Sequence, residues 1–109
     1  LGNIVTRTRF GEMIGYENHS GHTILADDPA PLGQIIKGDG NNGRDKTEGA
    51  VYKRVFGSYL HGSLLPKNPI FADALIEAAA LHRYGSFEPS VIDDHLADSA
   101  RSIARKRPR

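Results

Sequence analysis

A chain of 109 residues, 39% hydrophobic and 25% charged, is one domain at most and small for a complete enzyme. It has no apolar run near the ~20 residues that cross a bilayer, nothing like a signal peptide at its start, and no cysteine, which excludes a disulfide framework and cysteine-based metal sites. The net charge of +1 hides an asymmetry: all 13 acidic residues end by Asp98, whereas Arg101, Arg105, Lys106, Arg107 and Arg109 carry five of the 14 basic charges beyond it.

Residues 2–9 alternate Ile4, Thr6 and Thr8 against Val5, Arg7 and Arg9, a two-residue period rich in β-branched side chains that predicts a strand. Residues 12–19 form a second run, stopped by Ser20-Gly21, and residues 23–25 extend it before Asp27-Asp28-Pro29 breaks the pattern. Residues 32–37 are a third strand candidate, closed by Gly38-Asp39-Gly40. The stretch 38–49 is rich in glycine and asparagine, which tolerate positive φ, and reads as loop. Its glycine-rich backbone exposes N–H groups, yet it matches neither the P-loop nor the dinucleotide pattern. A mobile connection near a subunit interface is expected instead. Residues 50–53 and 55–60 are further strands leading into His61.

The remainder reads as helix. Asn68 suits an N-cap and Pro69 the first helical position; Phe71, Leu75, Ala78, Ala79 and His82 share a face, and Gly85 is placed to end the helix in a left-handed conformation. A second helix is expected to open at Pro89 with a narrow stripe of Ile92, Leu96 and Ile103 among charged residues, packed at an edge or against a partner. The basic end is expected to be a frayed, solvated terminus. Without interleaved aromatics it offers little for nucleic acid.

Among five histidines, His82 and His95 fall on helices and read as surface groups. His19 and His22 have a spacing found in metal sites, but a strand running into a turn does not aim both rings at one point, and no metal or cofactor is expected. His61 differs in context. It ends a strand-like run and is followed by Gly62, which lets the chain turn sharply. A strand end is where α/β folds place reacting groups, and an imidazole there serves as general base and acid. A hydrogen-bonding structural histidine is the alternative. Glu17 and His19 share a face of their strand, with Asn18 on the other. A carboxylate in a β-run is costly to bury without a partner; it either orients a catalytic imidazole, as in a triad, or belongs to a surface pair on an edge strand.

The blocks Gly15-Tyr16-Glu17-Asn18-His19-Ser20-Gly21, Pro31-Leu32-Gly33, Gly40-Asn41-Asn42-Gly43, Glu48-Gly49 and Tyr59-Leu60-His61-Gly62-Ser63-Leu64-Leu65-Pro66-Lys67-Asn68-Pro69 resemble the class I glutamine amidotransferase domain of the cobyric acid synthase type. Within it they are similar to the glutaminase subunits of lipid II isoglutaminyl synthase, over roughly residues 2–85. The resemblance implies an α/β fold: the C-terminal part of a three-layer domain with a central mixed sheet, strands first and two C-terminal helices after. It divides the chain into residues 1–86, the C-terminal half of the amidotransferase domain, and 87–109, a C-terminal helix and basic tail.

It further implies that a cysteine attacks the glutamine side-chain amide, and that His61 activates it and protonates the departing ammonia. The ammonia then passes to a MurT-like Mur-ligase subunit, the partner in a cytoplasmic heterodimer, for amidation of the D-glutamate of lipid II. The glutamate that many class I relatives carry two residues after the histidine is Ser63 here, which leaves Glu17 and His19 as orienting candidates. The nucleophile has no position in this chain, whose first residue is Leu1, so it fits a segment of a longer protein that is inactive without its N-terminal half. An unpaired sheet edge is expected where that half docks. A cobyric or cobyrinic acid amidating domain and a non-catalytic partner-binding module are the other readings.

Overall fold

The computed structural model describes residues 1–108. Strands come first: β1 (Gly2–Thr8), β2 (Gly11–Glu17), β3 (Gly33–Lys37), β4 (Thr47–Glu48), β5 (Ala50–Tyr52) and β6 (Val55–Gly57). Helices follow as α1 (Leu64–Lys67), α2 (Pro69–Tyr84) and α3 (His95–Arg105). The α/β class and the order of strands before helices match expectation, with a short extra helix, α1. Pairing in this segment is antiparallel throughout. One sheet runs β2-β1-β3-β4, and β5-β6 form a separate hairpin.

The alternation read from residues 2–9 is met in part: Ile4, Thr6 and Thr8 are buried and Arg7 and Arg9 exposed, but Val5 is buried as well, and β1 sits between β2 and β3. Residues 23–25, expected to extend the second strand, belong to no strand. The core comprises Ile4, Met13, Leu32, Leu60 and Phe71, and Phe10, Phe56 and Leu75 pack against it. Three phenylalanines from distant elements meet: Phe56 lies edge to face with Phe10 at 6.1 Å and with Phe71 at 5.7 Å, and Phe10 is tilted against Phe71 at 5.1 Å, between ring centroids. Such contacts contribute about 0.5–1.5 kcal/mol each beyond area burial. They join the β1–β2 turn, the β5–β6 hairpin and the first turn of α2.

The predicted apolar face of α2 is only half used. Phe71 is buried and Leu75 half-buried, but Ala78, Ala79 and His82 are exposed, because the core ends where Leu75 meets it. Gly85 does close the helix in the left-handed conformation, at φ 76°. Asn68 holds the N-cap position, yet its side chain makes no cap bond. Its Oδ1 accepts the Ile14 main-chain N–H at 2.8 Å, and its Nδ2 donates to the Ile14 and Leu64 carbonyls, each at 2.8 Å. A side-chain amide thus stands in for a strand residue beside β2. The first N–H groups of α2, from Phe71 and Ala72, go to the Asn68 carbonyl.

The second helix begins at His95, not Pro89, where Asp93 accepts the His95 N–H at 2.9 Å. Its expected stripe is inverted: Ile92, Leu96 and Ile103 are exposed, while Ala97, Arg101 and Ala104 turn inward at helical spacing. Small residues let the helix approach, and Arg101 donates to the Glu12 carbonyl on β2. The helix packs at a sheet edge, as expected.

The basic end is not a loose terminus. Arg105 grips the Glu12 carboxylate with two bonds of 2.6 and 3.1 Å, Lys37 donates to the Arg107 carbonyl, and Asn3 donates to that of Pro108 at 2.7 Å. The Arg105 guanidinium holds the Glu12 carboxyl below the usual carboxylate range. Arg101 and Arg105 hold α3 against the outer edge of β2 at Glu12, while Lys37 on β3 and Asn3 on β1 hold the chain beyond the helix. Arg109 lies outside the described residues.

Replacing Asn68 by alanine strands the buried N–H and C=O of Ile14. We expect a loss of about 2–3 kcal/mol, read as a lower urea midpoint with an unchanged slope. A wild-type midpoint would show that the β2 edge does not rely on this amide.

Candidate active site

Three pieces of chain converge beyond the end of β2: residues 17–21, the loop 38–49 and the segment 58–62. His61 was expected at the end of a strand. Strand β6 instead stops at Gly57, and His61 lies four residues on, bridged to Tyr16 on the outer edge of β2. Its N–H donates to the Tyr16 carbonyl at 2.8 Å, and the Tyr16 N–H donates back at 3.1 Å. Leu60 anchors this placement by entering the core, a burial that stabilises by roughly 1.5–3 kcal/mol.

Two glycines make room. A Cβ on Gly15 would lie 2.7 Å from Leu60 Cδ2 and 3.1 Å from the His61 carbonyl. Gly62 turns the chain away at φ 56°, as the sequence implied. Residues exchanging both bonds of an antiparallel bridge lie directly opposite, with side chains on one face. His61 therefore projects on the exposed face of Tyr16, and Glu17, the next residue of β2, projects from the other.

Glu17 is fully buried. Its carboxylate accepts the main-chain N–H groups of Asp39 at 2.8 Å and Gly40 at 2.9 Å, and lies 3.6 Å from His19 Nε2. The paired reading of Glu17 and His19 is thus realised in space, with Asn18 exposed between them. His19 Nδ1 donates to the Gly21 carbonyl at 2.9 Å, and its ring stacks on Tyr59 at 3.7 Å with only 10° between planes. The Tyr59 hydroxyl reaches Thr23 Oγ1 at 2.6 Å. A cavity of about 270 Å³ opens beside His19, lined also by His22, Asp39 and Asn42.

Sequence reasoning assigned no role to Glu48. It too is fully buried. It accepts the Tyr59 N–H at 2.6 Å and the Ser58 hydroxyl at 3.1 Å, while Ser58 Oγ accepts the Leu60 N–H at 3.0 Å. Burial pushes the Glu48 carboxyl above the ordinary range, and the nearby Glu17 charge adds to this. The Tyr59 and Ser58 bonds and His19 act the other way. The signal available in the sequence was an acid directly before a glycine, inside a stretch otherwise read as loop.

That loop is not a mobile connection. Asn41 is buried, donating to Thr47 Oγ1 and the Gly49 carbonyl and accepting the Gly49 N–H at 2.9 Å, and β4 lies within the stretch. His82 contacts Arg54 at the surface, and His95 opens α3. Among the described residues, no group of three or more His, Cys, Asp or Glu is placed to hold a metal ion, and no helix is long and apolar enough to cross a membrane.

Residues 2–69 match the model of the CobB/CobQ-like glutamine amidotransferase domain. The chain belongs to this amidotransferase family. It is 42% identical over 103 residues to the lipid II isoglutaminyl synthase (glutamine-hydrolyzing) subunit GatD of Staphylococcus aureus, which covers 94% of this chain and 42% of that protein. It is 49% identical over 71 residues to the subunit of the same name from Streptococcus pneumoniae, covering 65% of this chain and 27% of that one. A protein of Methanosphaera stadtmanae named "Probable cobyric acid synthase" is 45% identical over 51 residues, 47% of this chain and 10% of its own length. The amidotransferase chain thus spans less than half of the curated relatives it matches. The Staphylococcus match runs into α3, further than the motifs alone reached.

Glu48 makes stability depend on pH with a defined sign. An acid whose folded pKa is raised binds more protons when folded, so stability falls as pH climbs from the ordinary carboxylate range through the raised value. Glu48→Gln keeps an acceptor for Tyr59, and melting curves from pH 5 to 8 should lose that part of the decline. A Gln variant as pH-dependent as wild type would sink this account. Gly15→Ala should lower the melting temperature by several degrees, because the added methyl group displaces Leu60. An unchanged melt would mean the 60–61 segment can shift freely.

Proposed function

We propose that this chain supplies the histidine side of a class I glutaminase site, as the glutaminase component of a lipid II isoglutaminyl synthase. Residues 1–86 form the C-terminal half of that domain, and residues 87–109 are its last helix and tail. The observation that supports the reading is the placement of His61. Both of its main-chain groups are tied to β2, Leu60 is seated in the core beneath it, and its imidazole lies on an exposed face. Similarity covering 94% of the chain favours GatD-type relatives over the cobyric acid synthases, which match about half.

The chemistry follows from what an imidazole does near neutrality. A thiol is mostly protonated there and needs a base to become nucleophilic. With a cysteine contributed by a segment outside this sequence, His61 takes the thiol proton as sulfur adds to the glutamine side-chain carbonyl carbon. As the C–N bond breaks, His61 returns the proton to the departing ammonia, leaving a thioester. Water, activated by the same imidazole, then releases glutamate and restores the thiol. Glu17 and His19 act one step back: Glu17 holds the 39–40 main chain and His19, and His19 in turn stacks on Tyr59, two residues before His61. The ammonia is consumed by a MurT-like ligase subunit in the cytoplasm, which amidates the D-glutamate of lipid II. Having no cysteine, this chain is inactive alone.

Ammonia release from glutamine tests the reading, comparing the chain alone with a version extended upstream to include a cysteine-bearing segment. Activity is expected only in the extended protein. His61→Ala should lower it by roughly 10³-fold or more with little effect on melting, since the imidazole is exposed. A folded, extended and partnered protein without activity would leave a binding module as the better description.

A further inference from the structure

The relation between Glu48 and His61 goes one step past the proposed glutaminase role and rests on it for its kinetic consequence. His61 is held by two main-chain bonds to Tyr16, but the approach to it, residues 58–60, belongs to no strand. Irregular backbone next to a core needs its N–H groups satisfied from elsewhere. Glu48 does this for two successive residues. It accepts the Tyr59 N–H directly and fixes the Ser58 hydroxyl, which accepts the Leu60 N–H. Glu48 is itself immobilised in β4, which pairs with β3, and Asn41 clamps both main-chain groups of the adjoining Gly49. Glu48 bonds to the segment that leads to His61, and Glu17 accepts from the 39–40 main chain and lies beside His19.

We propose that Glu48 is a positioning residue for His61: through Tyr59 and Ser58 it fixes where the 58–61 segment leaves the core, and so where the imidazole meets the nucleophile and the departing ammonia. The role is that of a hydrogen-bond acceptor and does not need the negative charge. Displacing a general base by about 1 Å costs on the order of 10²-fold in rate, and that loss falls on the chemical step His61 serves.

The test is steady-state glutaminase kinetics in the full-length amidotransferase with its partner subunit, comparing Glu48→Ala and Glu48→Gln. Glu48→Ala should lower kcat by roughly 10- to 100-fold with KM within about twofold, and Glu48→Gln should restore most of kcat without moving the acidic limb of the pH profile. Wild-type kcat in Glu48→Ala overturns the proposal. So does an equal loss in both variants with a displaced acidic limb, which would make the charge the active property. If Glu48→Ala does not fold, Ser58→Ala carries the test: it removes the hydroxyl that reaches Leu60, and a wild-type kcat there overturns the proposal. If the wild-type assembly releases no ammonia, the glutaminase reading fails on its own. Amide hydrogen exchange in the full-length protein with its partner subunit then decides the placement, with exchange at Leu60 and His61 at least tenfold faster in Glu48→Ala but not in Glu48→Gln supporting it, and equal exchange refuting it.

Discussion

The outer edge of β2 is the constraint on which the rest of this molecule depends. Ile14 and Tyr16 turn their main-chain N–H and C=O groups away from β1, and the Glu12 carbonyl faces the same way. Left unmatched, each buried group costs about 1–3 kcal/mol. Three different devices meet them: the His61 main chain on Tyr16, the Asn68 side-chain amide on Ile14, and the Arg101 guanidinium on Glu12. One edge therefore sets the position of the candidate general base, the start of α2 and the seat of α3. An edge so covered is also protected against pairing with a second chain.

Two buried carboxylates impose a second layer of order. Burying an unpartnered charge is expensive, and neither Glu17 nor Glu48 is unpartnered. Each collects donors from a segment that has no regular structure of its own: Glu17 from residues 39–40, Glu48 from residues 58–59. The carboxylates thereby replace a strand ladder where the chain must stay irregular to present side chains. His19 lies 3.6 Å from Glu17 and stacks on Tyr59, whose N–H Glu48 accepts. A site assembled this way keeps its loops in place at the cost of a carboxyl whose ionisation is opposed by burial.

These constraints give the family membership a physical content. The CobB/CobQ-like match ends at residue 69, at the first residue of α2. Within it fall the covered edge of β2, both carboxylates and His61. Past it, α2 leaves the core after Leu75, and α3 returns to the edge through Arg101 and Arg105.

Much of this was legible locally. The β-branched alternation of residues 2–9, the turn chemistry of Ser20-Gly21 and Gly38-Asp39-Gly40, Pro69 at a helix start and Gly85 at its end each act within a few residues, so a linear reading finds them. The motifs around His19 and His61 are local in the same way, and the fold brings the two segments together where His19 stacks on Tyr59. What a linear reading could not supply were the partners. Asn68 looks like a helix cap until Ile14, 54 positions away, claims its amide. Glu48 looks like part of a loop until Tyr59 arrives above it. Arg101 and Arg105 look like a solvated tail until Glu12 is beside them, and Ala97 and Ala104 displace the apolar stripe of α3 because only small side chains let that helix reach β2. Sequence by itself determined most of the elements, the family and the candidate histidine, because propensity and turn chemistry are short-range. Only the tertiary structure decided how that histidine is held, because hydrogen bonds between residues distant in the chain depend on which main-chain groups the fold leaves unmatched.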